Sequence, residues 1–100
     1  MGVSLHFNPE LHQTVLSVRG AFTQVLRPQL FNAITAIPDS VTELVIDLSE
    51  TEELDASAMG MLILLRDRYP SSDKILVLAP NSPIEQLLRT ANFHQLFTFE

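Results

Sequence analysis

Leu54-Asp55-Ala56-Ser57-Ala58-Met59-Gly60-Met61-Leu62-Ile63-Leu64-Leu65-Arg66-Asp67-Arg68 sets the frame for the whole of this 100-residue chain. Glu50, Glu52 and Glu53 run into it as an acidic loop, and Asp55 has the chemistry of an N-cap, a carboxylate that accepts a backbone N–H of the first helical turn. Ser57 then falls second in the helix, where free N–H groups and the positive end of the dipole favour a negative charge. That is a natural seat for a regulatory phosphate, although a serine there is also an ordinary first-turn residue. On a helical wheel Ala58, Leu62, Leu65 and Tyr69 share one face, read as the core face. Opposite them Ala56, Gly60 and Ile63 precede Asp67, with Leu64 alongside, so two turns stay apolar where solvent is expected. Either a neighbouring helix covers this face, or it receives a partner. In the second case Met59 and Met61 adapt to the contact and Gly60 permits close backbone approach.

Working towards the N-terminus, residues 41–48 form a short apolar run around Val41, Leu44, Val45, Ile46 and Leu48, suited to a central strand buried on both faces. Before it, Leu26, Leu30, Ile34 and Ile37 recur at helical spacing beside Phe31. Pro28 is tolerated only in a first turn, so that helix begins near Arg27, and Pro38-Asp39-Ser40 stops it. Residues 3–8 and 14–19 alternate apolar and polar around the turn signal Asn8-Pro9-Glu10, which reads as a hairpin whose second strand ends at Gly20. Towards the C-terminus, Pro70-Ser71-Ser72-Asp73 ends the framing helix and Lys74-Ile75-Leu76-Val77-Leu78-Ala79 forms a further buried strand. Asn81 or Ser82, followed by Pro83, opens a third helix through Ile84, Leu87 and Leu88. Ala91-Asn92 closes it, and residues 96–99 add an edge strand. The order β-β-α-β-α-β-α-β predicts an α/β fold, a mixed, mostly parallel sheet with helices on one or both faces.

Composition narrows the function. Six basic against twelve acidic side chains leave a net charge of −6, which disfavours nucleic acid and direct membrane binding, since both rest on clustered Lys and Arg. No cysteine is present, consistent with a reducing, cytoplasmic setting. The longest apolar run is too short to span a bilayer, and the N-terminus lacks the regions of a signal peptide. His6, His12 and His94 show no metal-ligand spacing. Asp47 and Asp55 have no companion nucleophile pattern, and glycines at positions 2, 20 and 60 build no phosphate-cradling loop. No cofactor is implied.

The strand end Asp47-Leu48-Ser49, followed after a short loop by Asp55-Ala56-Ser57-Ala58-Met59-Gly60-Met61-Leu62 at a helix start, resembles the STAS domain of bacterial anti-anti-sigma factors. The segment Asn81-Ser82-Pro83-Ile84 through Ala91-Asn92-Phe93-His94-Gln95-Leu96-Phe97 is similar to that family's last helix and its exit. The resemblance implies a single STAS domain over residues 1–100 that is a binding module rather than an enzyme. It implies an anti-sigma factor antagonist whose partner is an anti-sigma factor, often a GHKL-type serine kinase, with phosphorylation at this helix start abolishing binding and a cognate phosphatase reversing it. In the family pattern the aspartate is followed by the phosphorylated serine and then a second Ser or Thr; here those positions are Ala56 and Ser57. Ser57 is then a substitute acceptor or a bystander. Thr23 stands where the family often has an acidic residue after its second strand. The implied partner surface centres on Asp55, Ala56, Ser57, Met59, Gly60 and Ile63, with Thr23, Glu52 and Glu53 at its rim. STAS-like domains also serve as cytoplasmic subunits docked on the ATPase of ATP-driven transporters, and Ala56 suits such a constitutive role. Oligomeric state is left open, because an apolar helix face serves a symmetric dimer as readily as a heteromeric contact.

Overall fold

A computed structural model describes residues 2–38, 40–68 and 75–100. Strands β1 (Gly2–Asn8) and β2 (Gln13–Phe22) form the expected hairpin, with the Asn8 side chain accepting the Glu10 N–H in the turn. Helix α1 (Arg27–Thr35) follows, with Pro28 in its first turn, and leads to β3 (Glu43–Leu48) and β4 (Thr51–Leu54). Helix α2 (Ala56–Arg68), β5 (Ile75–Pro80), α3 (Ser82–Thr90) and β6 (Thr98–Phe99) complete the chain. Tyr69, the stop at residues 70–73 and Lys74 lie outside the described residues.

The sheet runs β1-β2-β3-β5-β6, antiparallel between β1 and β2 and parallel elsewhere, with β4 paired to β2 beyond the end of β3. β3 is central, as its apolar run predicts. Successive right-handed crossovers that advance in one direction deposit their helices on one face, and the core has that arrangement. Leu16, Val18, Leu44, Ile46, Leu48 and Leu78 from alternate strand positions pack with Leu30 and Ile34 of α1, Met61, Leu62 and Leu65 of α2, and Ile84 and Leu88 of α3. Val45 and Val77 point to the other face and lie outside this cluster, buried within a row that continues to Val15.

Two expectations are corrected. Gly20 does not end the second strand. It takes a left-handed φ of 81°, open to glycine without steric cost, and although the pairing register shifts beside it, with the extra residue on the partner strand β4, β2 continues to Phe22, which is fully buried. The acidic loop is also partly a strand. Thr51, only 2% exposed, donates its hydroxyl to the Val18 carbonyl at 2.8 Å, and β4 resumes the parallel pairing that β3 leaves at Ser17. The register skips Glu52, pairing Ala21 with Glu53, and both glutamates are exposed.

Candidate functional site

The start of α2 is built by the backbone that precedes it. Leu54 pairs with Phe22, and the next residue, Asp55, donates its N–H to the Phe22 carbonyl at 3.3 Å. Its carboxylate Oδ1 accepts the Ala58 N–H at 2.8 Å, and its carbonyl accepts from Met59 at 3.1 Å. Asp55 is therefore the N-cap and Ser57 the second helical residue, as the spacing predicts. Replacing a capping aspartate by alanine removes one orphan-donor contact, so Asp55→Ala is expected to lower stability by about 1 kcal/mol in urea unfolding.

Asp55, Ala56 and Ser57 are all exposed. Thr23 comes next to them through the same strand pair, since it follows Phe22 as Asp55 follows Leu54; it is half-buried and caps a short 3-10 turn by accepting the Val25 N–H at 3.4 Å. Val25, 77% exposed, was not singled out by periodicity because it falls outside the Leu26, Leu30, Ile34 pattern. It puts an uncovered apolar side chain two residues beyond Thr23. The strand pairing thus brings Thr23, Glu52, Glu53, Asp55, Ala56 and Ser57 together at one end of the sheet. Glu50, behind them, is paired with Arg19 in an exposed ion pair at 2.8 Å. Asp47 belongs to a turn instead, its carboxylate accepting the Ser49 N–H at 2.9 Å.

Along α2 the core face contains Ala58, Met61, Leu62 and Leu65, each no more than 1% exposed. Met61 is thus a core residue, three positions from Ala58 and four from Leu65, and is withdrawn from the adaptable surface. Met59 is partly buried and packs against the core, leaving Gly60 and the 37% and 46% exposed Ile63 and Leu64 as the outer face. Among the described residues no helix covers it.

Gly60 has no internal reason to be glycine. A Cβ built there meets nothing within 4 Å, and its φ is not left-handed. An interior helical glycine costs about 0.8–1 kcal/mol relative to alanine, so Gly60→Ala is expected to raise the unfolding free energy measured in urea by about that amount.

The site is held from behind by Asn81. Its side-chain oxygen caps α3 by accepting the Ile84 N–H at 3.0 Å, while its amide nitrogen lies 3.3, 3.2 and 2.8 Å from the carbonyls of Leu48, Ser49 and Thr51. One side chain thereby ties the α3 start to the jog between β3 and β4. Arg66 adds a second tie, donating from Nε to the Leu96 carbonyl at 2.8 Å.

Fold and site together define a class: a small α/β domain with a mixed, mostly parallel sheet that presents a capped helix start and an adjoining apolar helix face on its surface. The family described as "Mlab, STAS domain" matches residues 5–98, and the chain belongs to the STAS family. It is also similar to a STAS-domain-containing protein of Pseudomonas aeruginosa strain UCBPP-PA14, 31% identical over 86 residues that cover 85% of each chain. STAS domains are in general non-catalytic binding modules. Among the described residues no helix is long and apolar enough to cross a membrane.

Proposed function

We propose that this protein is an anti-sigma factor antagonist, a binding module that docks the start and outer face of α2 onto an anti-sigma factor of the serine-kinase type. The observation that carries the reading is the juxtaposition of an exposed hydroxyl at Ser57, two residues after the helix cap Asp55, with the uncovered face of Gly60, Ile63 and Leu64. The apolar face supplies contact area. Exposed Glu52, Glu53 and Asp55 at its rim favour a partner whose matching surface is basic, and they speed its approach.

Ser57 is the proposed acceptor. Its hydroxyl oxygen attacks the γ-phosphorus of kinase-bound ATP, gives up its proton and releases ADP. The product carries about −1.5 to −2 charge. At the second helical position the dipole favours that charge by up to about 1 kcal/mol, and the neighbouring carboxylates oppose it, so the fold is retained while the contact surface gains a strongly hydrated dianion whose desolvation opposes docking of the apolar face. Gly60→Ala supplies a second probe. A partner backbone seated on Gly60 is displaced by one methyl group, so the substitution that stabilises the free chain weakens the complex by about tenfold in titration calorimetry.

Ala56 at the position of the usual acceptor favours the second reading, permanent docking on a transporter ATPase. Affinity capture from the native lysate with wild type and Ser57→Glu side by side separates the two. Recovery of a kinase-fold anti-sigma factor by wild type alone supports the antagonist. Equal recovery of a transporter ATPase by both forms replaces it with the transporter subunit.

A further inference from the structure

We propose that strand β1 is a self-association edge through which two copies of this chain pair antiparallel about a twofold axis at Leu5. The surface shares no residue with the α2 site. β1 is the outermost strand of the sheet path, paired with β2 on one side only. Its residues Val3, Leu5 and Phe7 stand opposite Val18, Leu16 and Thr14 in the hairpin register, so they lie on the helix-bearing face. Val3 packs against the core, but Leu5 and Phe7 are 36% and 40% exposed. Helix α1 covers the start of this strand at Gly2 and Val3 but leaves Leu5 and Phe7 uncovered beyond it.

What covers it follows from the order of residues in the strand. Gly2-Val3-Ser4-Leu5-His6-Phe7-Asn8 has its apolar residues placed symmetrically about Leu5. Antiparallel pairing of two copies centred there sets Leu5 against Leu5, Val3 against Phe7, and Ser4 against His6. Directly opposed residues point to the same face, so all six apolar side chains join one row beside the two helical layers. Moving the centre to Ser4 or His6 leaves an apolar residue without a counterpart inside the strand, Phe7 or Val3 respectively, and moving it by half a step puts the helices of the two copies on opposite faces. A twofold contact needs such self-complementarity.

Charge permits a second copy of the chain at this place. A net charge of −6 on each chain opposes self-contact where like charges meet, yet residues 2–8 contain no Asp, Glu, Lys or Arg. Edge strands that stay unpaired are commonly guarded by charge, proline or extreme shortness. This one has seven residues and none of those guards, whereas the opposite edge, β6, has two.

The chain has no cysteine, which makes a direct test available. Leu5→Cys places two thiols opposite each other across the twofold, within the separation a disulfide requires. Oxidised with glutathione disulfide, Leu5→Cys is expected to give covalent dimer at least about tenfold faster than Val25→Cys at equal concentration, because pairing raises the effective thiol concentration. His6→Cys, opposed to Ser4, lags behind Leu5→Cys. Independently, sedimentation of wild type is expected to show a monomer–dimer equilibrium that Phe7→Lys shifts at least about tenfold towards monomer, with its circular dichroism unchanged. Equal cross-linking of Leu5→Cys and Val25→Cys, monomer alone at every concentration, or open-ended growth beyond dimer each overturns the proposal.

Discussion

Ser57→Glu is expected to weaken binding of the proposed anti-sigma partner by about 30- to 150-fold, corresponding to about 2–3 kcal/mol lost at a desolvated contact. The same substitution leaves the fold in place. Ser57 is exposed and its side chain supports no hydrogen bond among the described residues, so no internal contact is broken. An acidic residue in the first turn is favoured by the helix dipole and opposed by Asp55 and the glutamates of β4, which brings the net stability change within about 0.5 kcal/mol. The two readouts separate a switch from a lesion. Titration calorimetry with the isolated partner measures the first and urea unfolding the second. Ser57→Ala is the companion, expected to bind like wild type and to resist release when kinase and ATP are added. An affinity unchanged by Ser57→Glu, or lost together with the fold, counts against the switch.

Asn81→Ala has the largest expected effect on stability, about 2–3 kcal/mol. The loss combines an N-cap worth about 1 kcal/mol with the two amide hydrogens that Asn81 shares among the carbonyls of Leu48, Ser49 and Thr51, each net bond worth about 1 kcal/mol. Asn81→Asp separates the terms. An aspartate caps a helix as well as asparagine, but it has no hydrogens for the three carbonyls and sets a negative charge against them. Its destabilisation therefore reports on the clamp site, lost bonds and added repulsion together, with the cap retained, and is expected to exceed half that of the alanine form. Both substitutions are expected to speed amide exchange in β4, the strand that carries Asp55 to the head of α2. If urea unfolding finds Asn81→Asp as stable as wild type, the clamp contributes nothing.

Much of this arrangement is visible in the residues. Helical periodicity together with a strong stop or cap located α1 and α3, and the Asp55 cap located α2, because these signals are local and repeat over several turns. β4 lacked such a signal. Three of the four residues Thr51, Glu52, Glu53 and Leu54 are polar, and their partner is the far end of β2, about thirty positions away in sequence, so the segment resembles a loop until the sheet is assembled. Gly20 was ambiguous for a related reason: glycine marks both strand ends and bulges, and only the pairing beyond it decides. Met61 shows a third limit. An unbroken apolar run from Ala58 to Leu65 fixes the helix but blurs its phase, and the buried edge of the stripe emerges only from packing. The site was legible where it depends on the cap and on helical spacing. Its meeting with Thr23 and Val25 depends on β2 continuing past Gly20, and the Asn81 clamp spans about thirty residues, which no local pattern records.

The central claim is that partner contact is made at the capped start and outer face of α2. Amide chemical shifts of the labelled chain, recorded with and without the captured anti-sigma partner, test it most directly. The account predicts that the largest perturbations fall at Thr23, Val25, Glu53, Asp55, Ala56, Ser57, Gly60, Ile63 and Leu64, and that they shrink when Ser57 is phosphorylated. Perturbations centred on the exposed face of α3 or on the edge strand β1, with the α2 start unchanged, would contradict it.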